Sequence, residues 1–231
     1  MPHSRTTVRP SSVVAFLPLM VASAVHLVAI LLSLDDVVVW TKPLLMPALA
    51  IGLVWAAPIR RSRVIVLGVV ALFFSWAGDV TLVWFVIGLA CFLIAHIAYL
   101  VLFVTQLAVR RMQWWAMGYA VWLVVLLVLL VPNTGDLAIP VVIYGTVLCG
   151  MAAVASRCNR WIALGGAFFV ASDSILAINL FLDPGIPVVQ FLIMGTYIAA
   201  QTLIVWGIVQ YERRRVVAPA PALADPVRNP A

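Results

Sequence analysis

Two aspartates stand inside otherwise apolar stretches of this chain. Asp79 lies in FFSWAGDVTLVWF, residues 73–85, and Asp173 lies in the run that follows Gly165 and Gly166. A helix-centre aspartate in hydrocarbon costs roughly 2.5–3.5 kcal/mol, so each needs a compensating partner or a function. Two carboxyls in a water-poor setting suit acid-base work, one able to hold a proton while the other is ionised. The remaining polar residues of apolar stretches are few. Lys42 sits in Thr41-Lys42-Pro43, where the proline perturbs the helix and frees backbone carbonyls. His96 and Tyr99, three apart, share a helix face, and Gln190, Tyr197 and Gln201 form a second stripe. Ser172 directly precedes Asp173. No HExxH, Gly-x-Ser-x-Gly, Walker or dinucleotide motif is present, so serine nucleophiles and nucleotide cofactors are unsupported and no cofactor is expected. No metal is expected either, although His96 with the two aspartates could assemble a site.

The elements that position these residues follow from composition. Of 231 residues 65% are hydrophobic and 10% charged, and the mean hydropathy is +1.17, far from a soluble domain. Apolar runs of about 20 residues recur, each long enough to cross a hydrocarbon core as a helix. Eight are predicted, at 13–34, 37–57, 64–84, 87–107, 114–131, 137–155, 161–182 and 188–209. The fold class is therefore an all-α polytopic membrane bundle. Residues 1–12 form a short N-terminal segment, 13–209 the membrane domain, and 210–231 a basic and then Pro/Ala-rich tail of disordered composition.

The net charge of +6 does not point to nucleic acid. All basic residues except Lys42 fall at the N-terminus, in alternate loops (Arg60, Arg61, Arg63; Arg110, Arg111; Arg157, Arg160) or in the tail, and the other loops carry Asp35, Asp36, Asp136 and Asp183. This alternation predicts an even number of spans with both termini cytoplasmic. The Arg213–Arg215 cluster is placed to meet anionic lipid or simply to anchor the last span. The first apolar run contains Ala22-Ser23-Ala24, which resembles a signal cleavage site, but it continues through Leu34 and is read as a retained helix. Cys91, Cys149 and Cys158 do not form a disulfide framework. A single lysine among fourteen basic residues, with abundant Ala and Val, is the composition of a high-GC bacterial protein, here one of the cytoplasmic membrane.

Spans three and seven carry Gly78-Asp79-x-x-Leu82 and Ser172-Asp173-x-x-Leu176, and spans four and eight both carry Phe-Leu-Ile. These echoes suggest two parallel four-helix halves, in imperfect register. Counted from the span ends, Asp79 and Asp173 lie roughly 8 and 14 Å deep in the outer half of the bilayer. Of Lys42, His96, Tyr99, Gln190, Tyr197 and Gln201 all but the deepest converge on that half, and Gly78, Gly88, Ala95, Gly165 and Gly166 permit close helix approach. Each polar residue alone is compatible with a structural role. Their joint occurrence carries the functional signal.

Thr41-Lys42-Pro43-Leu44, Gly78-Asp79-x-x-Leu82, Ala95-His96-x-x-Tyr99, Gly166-Ala167 with Ser172-Asp173, and Tyr197-x-x-x-Gln201, in this order, resemble the YhhN-like family, which includes lysoplasmalogenases. The resemblance implies eight membrane helices and hydrolysis of the vinyl ether bond of lysoplasmalogens, with a lysophospholipid or other ether lipid as the partner. In that reaction Asp79, Asp173 and His96 are the candidate catalytic residues. Lys42, Tyr99, Tyr197, Gln201 and Ser172 are the candidate substrate contacts, Lys42 for the phosphate. The competing reading is a proton-coupled transporter, for which membrane acids, a lysine and a parallel repeat are equally natural.

Overall fold

The computed structural model describes residues 14–217; the expected N-terminal segment and the Pro/Ala-rich part of the tail lie outside them. Eight helices among the described residues are long and apolar enough to cross a membrane. Their α-helical parts are α1 (Leu17–Leu31), α2 (Asp35–Ala56), α3 (Arg63–Thr81), α4 (Phe85–Leu102), α5 (Met117–Leu130), α6 (Ala138–Ala155), α7 (Arg160–Leu182) and α8 (Val189–Val217), some extended by short 3-10 or π turns. A π-helical turn, Phe103–Leu107, extends α4. No strand occurs among the described residues.

Two boundaries differ instructively from the hydropathy reading. Helix α3 ends at Thr81, so Asp79 lies near its last turn rather than well inside the helix. Helix α8 runs past position 209 to Val217, so the arginines at 213–215 are helical. Hydropathy marks where lipid ends; a helix of good formers such as arginine continues beyond it.

The helices form a circuit in which α1 packs on α2, α2 on α3, α3 on α4, α4 on α6, α6 on α7 and α7 on α8, with α8 also touching α1, α2 and α3. Helix α8 is the most enclosed, and α5 packs outside against α6 and α7. The outward faces are apolar, as at Val21, Val39, Ile51, Val121 and Val128, and Trp40, Trp84 and Trp114 are exposed near helix ends, where interfacial anchors belong.

Lipid tails are as apolar as leucine, so helices associate here through close packing rather than hydrophobic collapse. The α7–α8 contact shows how. A Cβ on Gly165 would stand 2.6 Å from Ile204 Cγ1 and 2.8 Å from the Ala200 carbonyl, and one on Gly207 would stand 2.5 Å from Ile162 Cγ1. Each helix thus has a glycine where the other presses in. Asn159 caps α7 by accepting from the Trp161 and Ile162 amides, and its Nδ2 donates to the Gly207 carbonyl at 2.8 Å. Farther along the pair, the Ser172 hydroxyl donates to the Ile193 carbonyl at 3.0 Å, which fixes the register of Asp173 against Tyr197.

Helix α2 is continuous through Pro43 and Pro47, each lacking the amide that would bond one turn back. Lys42 adjoins this loosened stretch. The neighbouring Thr41 hydroxyl donates to the Val37 carbonyl and accepts from His26 Nδ1 at 2.8 Å, tying α1 to α2. His26, which has no evident partner in sequence, is therefore accounted for as a helix tie.

Gly165→Ala should destabilise the folded protein by about 1–3 kcal/mol through overpacking on the α8 backbone. Gly150→Ala, in α6 with nothing within 4 Å of the added Cβ, should not. Thermal melts of the two detergent-purified variants check the contrast.

Candidate active site

At one end of the bundle the second half of α7 and the first turns of α4, α6 and α8 surround a cavity of about 220 Å³. Lys42, Asp79, Tyr144, Ser172, Asp173 and Tyr197 supply most of its polar lining, and Phe85, Phe92, Leu176 and Met194 stand among its apolar walls. The two aspartates, 94 positions apart in sequence (173 minus 79), therefore face one space. Gln190 lines it as well, from an exposed position.

The carboxyls are held differently. Asp79 is buried; Lys42 Nζ stands 3.8 Å from its Oδ1, and the Tyr197 hydroxyl donates to its Oδ2 at 2.9 Å. Among the described residues no cation pairs with Asp173, and the Tyr144 hydroxyl donates to its Oδ2. The Lys42 side chain is 26% exposed, so it pairs with Asp79 while keeping donors free.

Behind Tyr197 runs a buried chain of hydrogen bonds. The Tyr99 hydroxyl donates to Gln201 Oε1 at 2.6 Å, and Gln201 Nε2 donates to Ser75 Oγ at 2.9 Å and reaches the Tyr197 oxygen at 3.5 Å. This arrangement uses both ends of the amide and satisfies a side chain with no exposure at all. Tyr99 and Gln201, expected against the substrate, sit one layer beneath the cavity and do not line it. The reason is α4's pitch: Tyr99 lies beyond the first turns that reach the cavity and points at α8. Ser172 does line it, with its hydroxyl proton committed to the Ile193 carbonyl.

His96, expected beside the aspartates, is also outside the lining. Its Nδ1 donates to the Phe92 carbonyl at 2.6 Å, and its Nε2 is buried without a hydrogen-bond partner. The ring packs edge-on against Tyr144, with centroids 5.3 Å apart, and against Phe169 at 4.6 Å. It braces the tyrosine that holds Asp173. Among the described residues no group of three His, Cys, Asp or Glu is placed to hold a metal ion, so His96 and the aspartates do not form one.

Two contributors carry no motif in the sequence. Tyr144 is an isolated tyrosine in an apolar helix, in sequence as compatible with a helix link as with a site, and Ser75 is a small hydroxyl that no pattern singles out. Phe92, read only as part of a repeated tripeptide, forms a wall and stacks edge-on against Tyr197 at 6.0 Å. A Cβ on Gly78 would stand 2.7 Å from that ring, so the glycine before Asp79 admits the phenylalanine.

The YhhN family model matches residues 37–208, which contain every residue of this site. The chain belongs to the YhhN family. A human relative named lysoplasmalogenase TMEM86B is 32% identical over 149 residues, 58% of this chain and 59% of the relative. The match thus covers less than two thirds of that relative's length. No solved structure matches.

Gln201→Leu should lower stability by about 1–3 kcal/mol, because the buried Tyr99 hydroxyl loses its acceptor. Adding Tyr99→Phe to that variant should restore part of the loss. Denaturation of the single and double variants measures the coupling.

Proposed function

We propose that this protein is a membrane-embedded hydrolase that cleaves the vinyl ether bond of lysoplasmalogen, releasing a fatty aldehyde and a glycerophospho-alcohol. The observation that carries the reading is the pair of carboxyls on separate helices facing one apolar-walled cavity, one with a cation and one without. Membership of the YhhN family and the similarity to a relative named as a lysoplasmalogenase support the same substrate class.

The chemistry assigns the two acids different work. An enol ether is cleaved by proton transfer to the carbon β to oxygen, which leaves an oxocarbenium ion at C1. Asp173, lacking a cation, is the proton donor, positioned by Tyr144. Asp79, paired with Lys42, is the anion that stabilises the positive charge and orients water. Water adds at C1 and gives up a proton to a carboxylate, so that the protons balance. The resulting hemiacetal collapses: its hydroxyl gives up a proton, the bond from C1 to the glycerol oxygen breaks, that oxygen takes up a proton from a carboxylic acid, and the aldehyde leaves.

The cavity walls suit such a substrate. Leu82, Phe85, Leu176, Leu180 and Phe181 line both this cavity and an adjoining apolar hollow that Leu137 completes, a continuous lane for an alkenyl chain. Lys42, with donors to spare beyond its pairing to Asp79, meets the phosphate as a point charge. Gln190 and Ser172 border the head-group end, whereas Tyr99, Gln201 and His96 act as positioning residues for Tyr197 and Tyr144. The alternation of basic and acidic loops supports placing this cavity in the outer half of the bilayer, with both termini cytoplasmic.

Purified protein in nanodiscs should release aldehyde from lysoplasmenylethanolamine, and Asp79→Asn and Asp173→Asn should each slow release by about 10²-fold or more. Lys42→Gln should raise KM more than it lowers kcat. Wild-type aldehyde release by both aspartate variants would sink the assignment. Proton-driven solute uptake without aldehyde release would favour a transporter instead.

A further inference from the structure

A second cavity, of about 460 Å³, lies at the opposite end of the bundle and is walled by three arginines from three separate segments. Arg110 comes from the connection between α4 and α5, Arg160 from the first turn of α7, and Arg214 from the last turns of α8. We propose that this cavity binds a phosphate-bearing anion, the head group of an anionic phospholipid of the adjoining leaflet.

Three exposed arginines border this one space, and their like charges favour an anion among them. No acid among the described residues lines the cavity. Among the described residues the ion pair present is Lys42–Asp79, in the other half of the molecule. The acid nearest in sequence, Glu212, is fully buried, lies outside the cavity lining and has neither carboxylate oxygen hydrogen-bonded.

The frame that gathers the arginines is built rather than accidental. The Arg110 amide donates to the Arg157 carbonyl at 3.0 Å, and Arg157 Nε donates back to the Arg110 carbonyl at 3.0 Å, so the two basic loops are stapled together. Asn159, which lines the cavity, caps α7 and ties it to α8 through Gly207. The Arg160 guanidinium lies 4.7 Å over the Trp161 ring, which orients its fork. Arginines from three segments bordering one space suit a phosphate, whose oxygens accept from more than one guanidinium. The other walls point to a lipid source: Leu107, Val109 and Trp161 are apolar and border the polar lining, as a head group with attached chains requires. The arginine-bearing end is also the one that the charge pattern assigns to the cytoplasmic face, where anionic lipids are enriched.

Calorimetric titration of the detergent-purified full chain with dihexanoyl phosphatidic acid, dihexanoyl phosphatidylcholine and inorganic phosphate tests the proposal. Phosphatidic acid should bind, and Arg160→Gln and Arg214→Gln should each weaken it by about tenfold or more. Arg111→Gln, an exposed neighbour outside the lining, should change it less than about twofold. Thermal melts matching wild type establish that the variants fold. Inorganic phosphate binding as tightly as the lipid would support the phosphate site and name free phosphate as its source. No binding of either, equal binding of phosphatidylcholine, or equal losses in Arg111→Gln and the lining variants would each overturn it.

Discussion

A carboxylate placed against hydrocarbon must be matched, and the matching of Asp79 organises one end of this bundle. Lys42 reaches it from α2 and Tyr197 from α8, so a single side chain of α3 ties three helices together. Tyr197 is in turn held by Gln201, which Ser75 and Tyr99 complete from α3 and α4. Removing one member of such a network leaves the others unpaired in a medium without water to replace it, so the network works as a unit. Asp173 stands outside it, with one tyrosine and no cation. That asymmetry between two carboxyls is the chemical content of the site.

The asymmetry depends on how closely the backbones approach. Gly165 and Gly207 bring α7 and α8 into contact, and the Ser172 bond to Ile193 sets their register, so that Asp173 and Tyr197 open onto the same space. Gly78 has a parallel role on α3, making room for Phe92 beneath the first aspartate. Small residues thus fix the positions of the polar ones. The opposite end follows another rule: arginines gathered by loop-to-loop hydrogen bonds border a space that no acid among the described residues lines.

The eight helices were legible because a period of apolar runs with alternating loop charge has few other solutions in a membrane. Asp79 and Lys42 were legible as candidates for a related reason: each is conspicuous among apolar neighbours, and each needs a partner. The division of the polar residues into cavity lining and support was not legible. Linear sequence places Tyr99 near His96 on one helix face, but whether that face meets the cavity or a neighbouring helix depends on the rotation of α4 against α8. The pairing of Tyr144 was not legible, because its partner, Asp173, is 29 positions away on another helix. The two aspartate motifs also look alike in sequence yet have unlike partners, since Tyr197 comes from α8 and Tyr144 from α6.

The central claim is that a positioned carboxylic acid protonates the substrate at carbon. Its most direct test is the fate of that proton when lysoplasmalogen is turned over in deuterium oxide. Delivery from one face of the cavity predicts an aldehyde bearing deuterium at C2 in a single configuration, read by reducing the product to the alcohol and analysing a chiral ester by NMR. A racemic C2 would mean that the carbon acquires its hydrogen in free solution, after release of an enol, and would contradict the account.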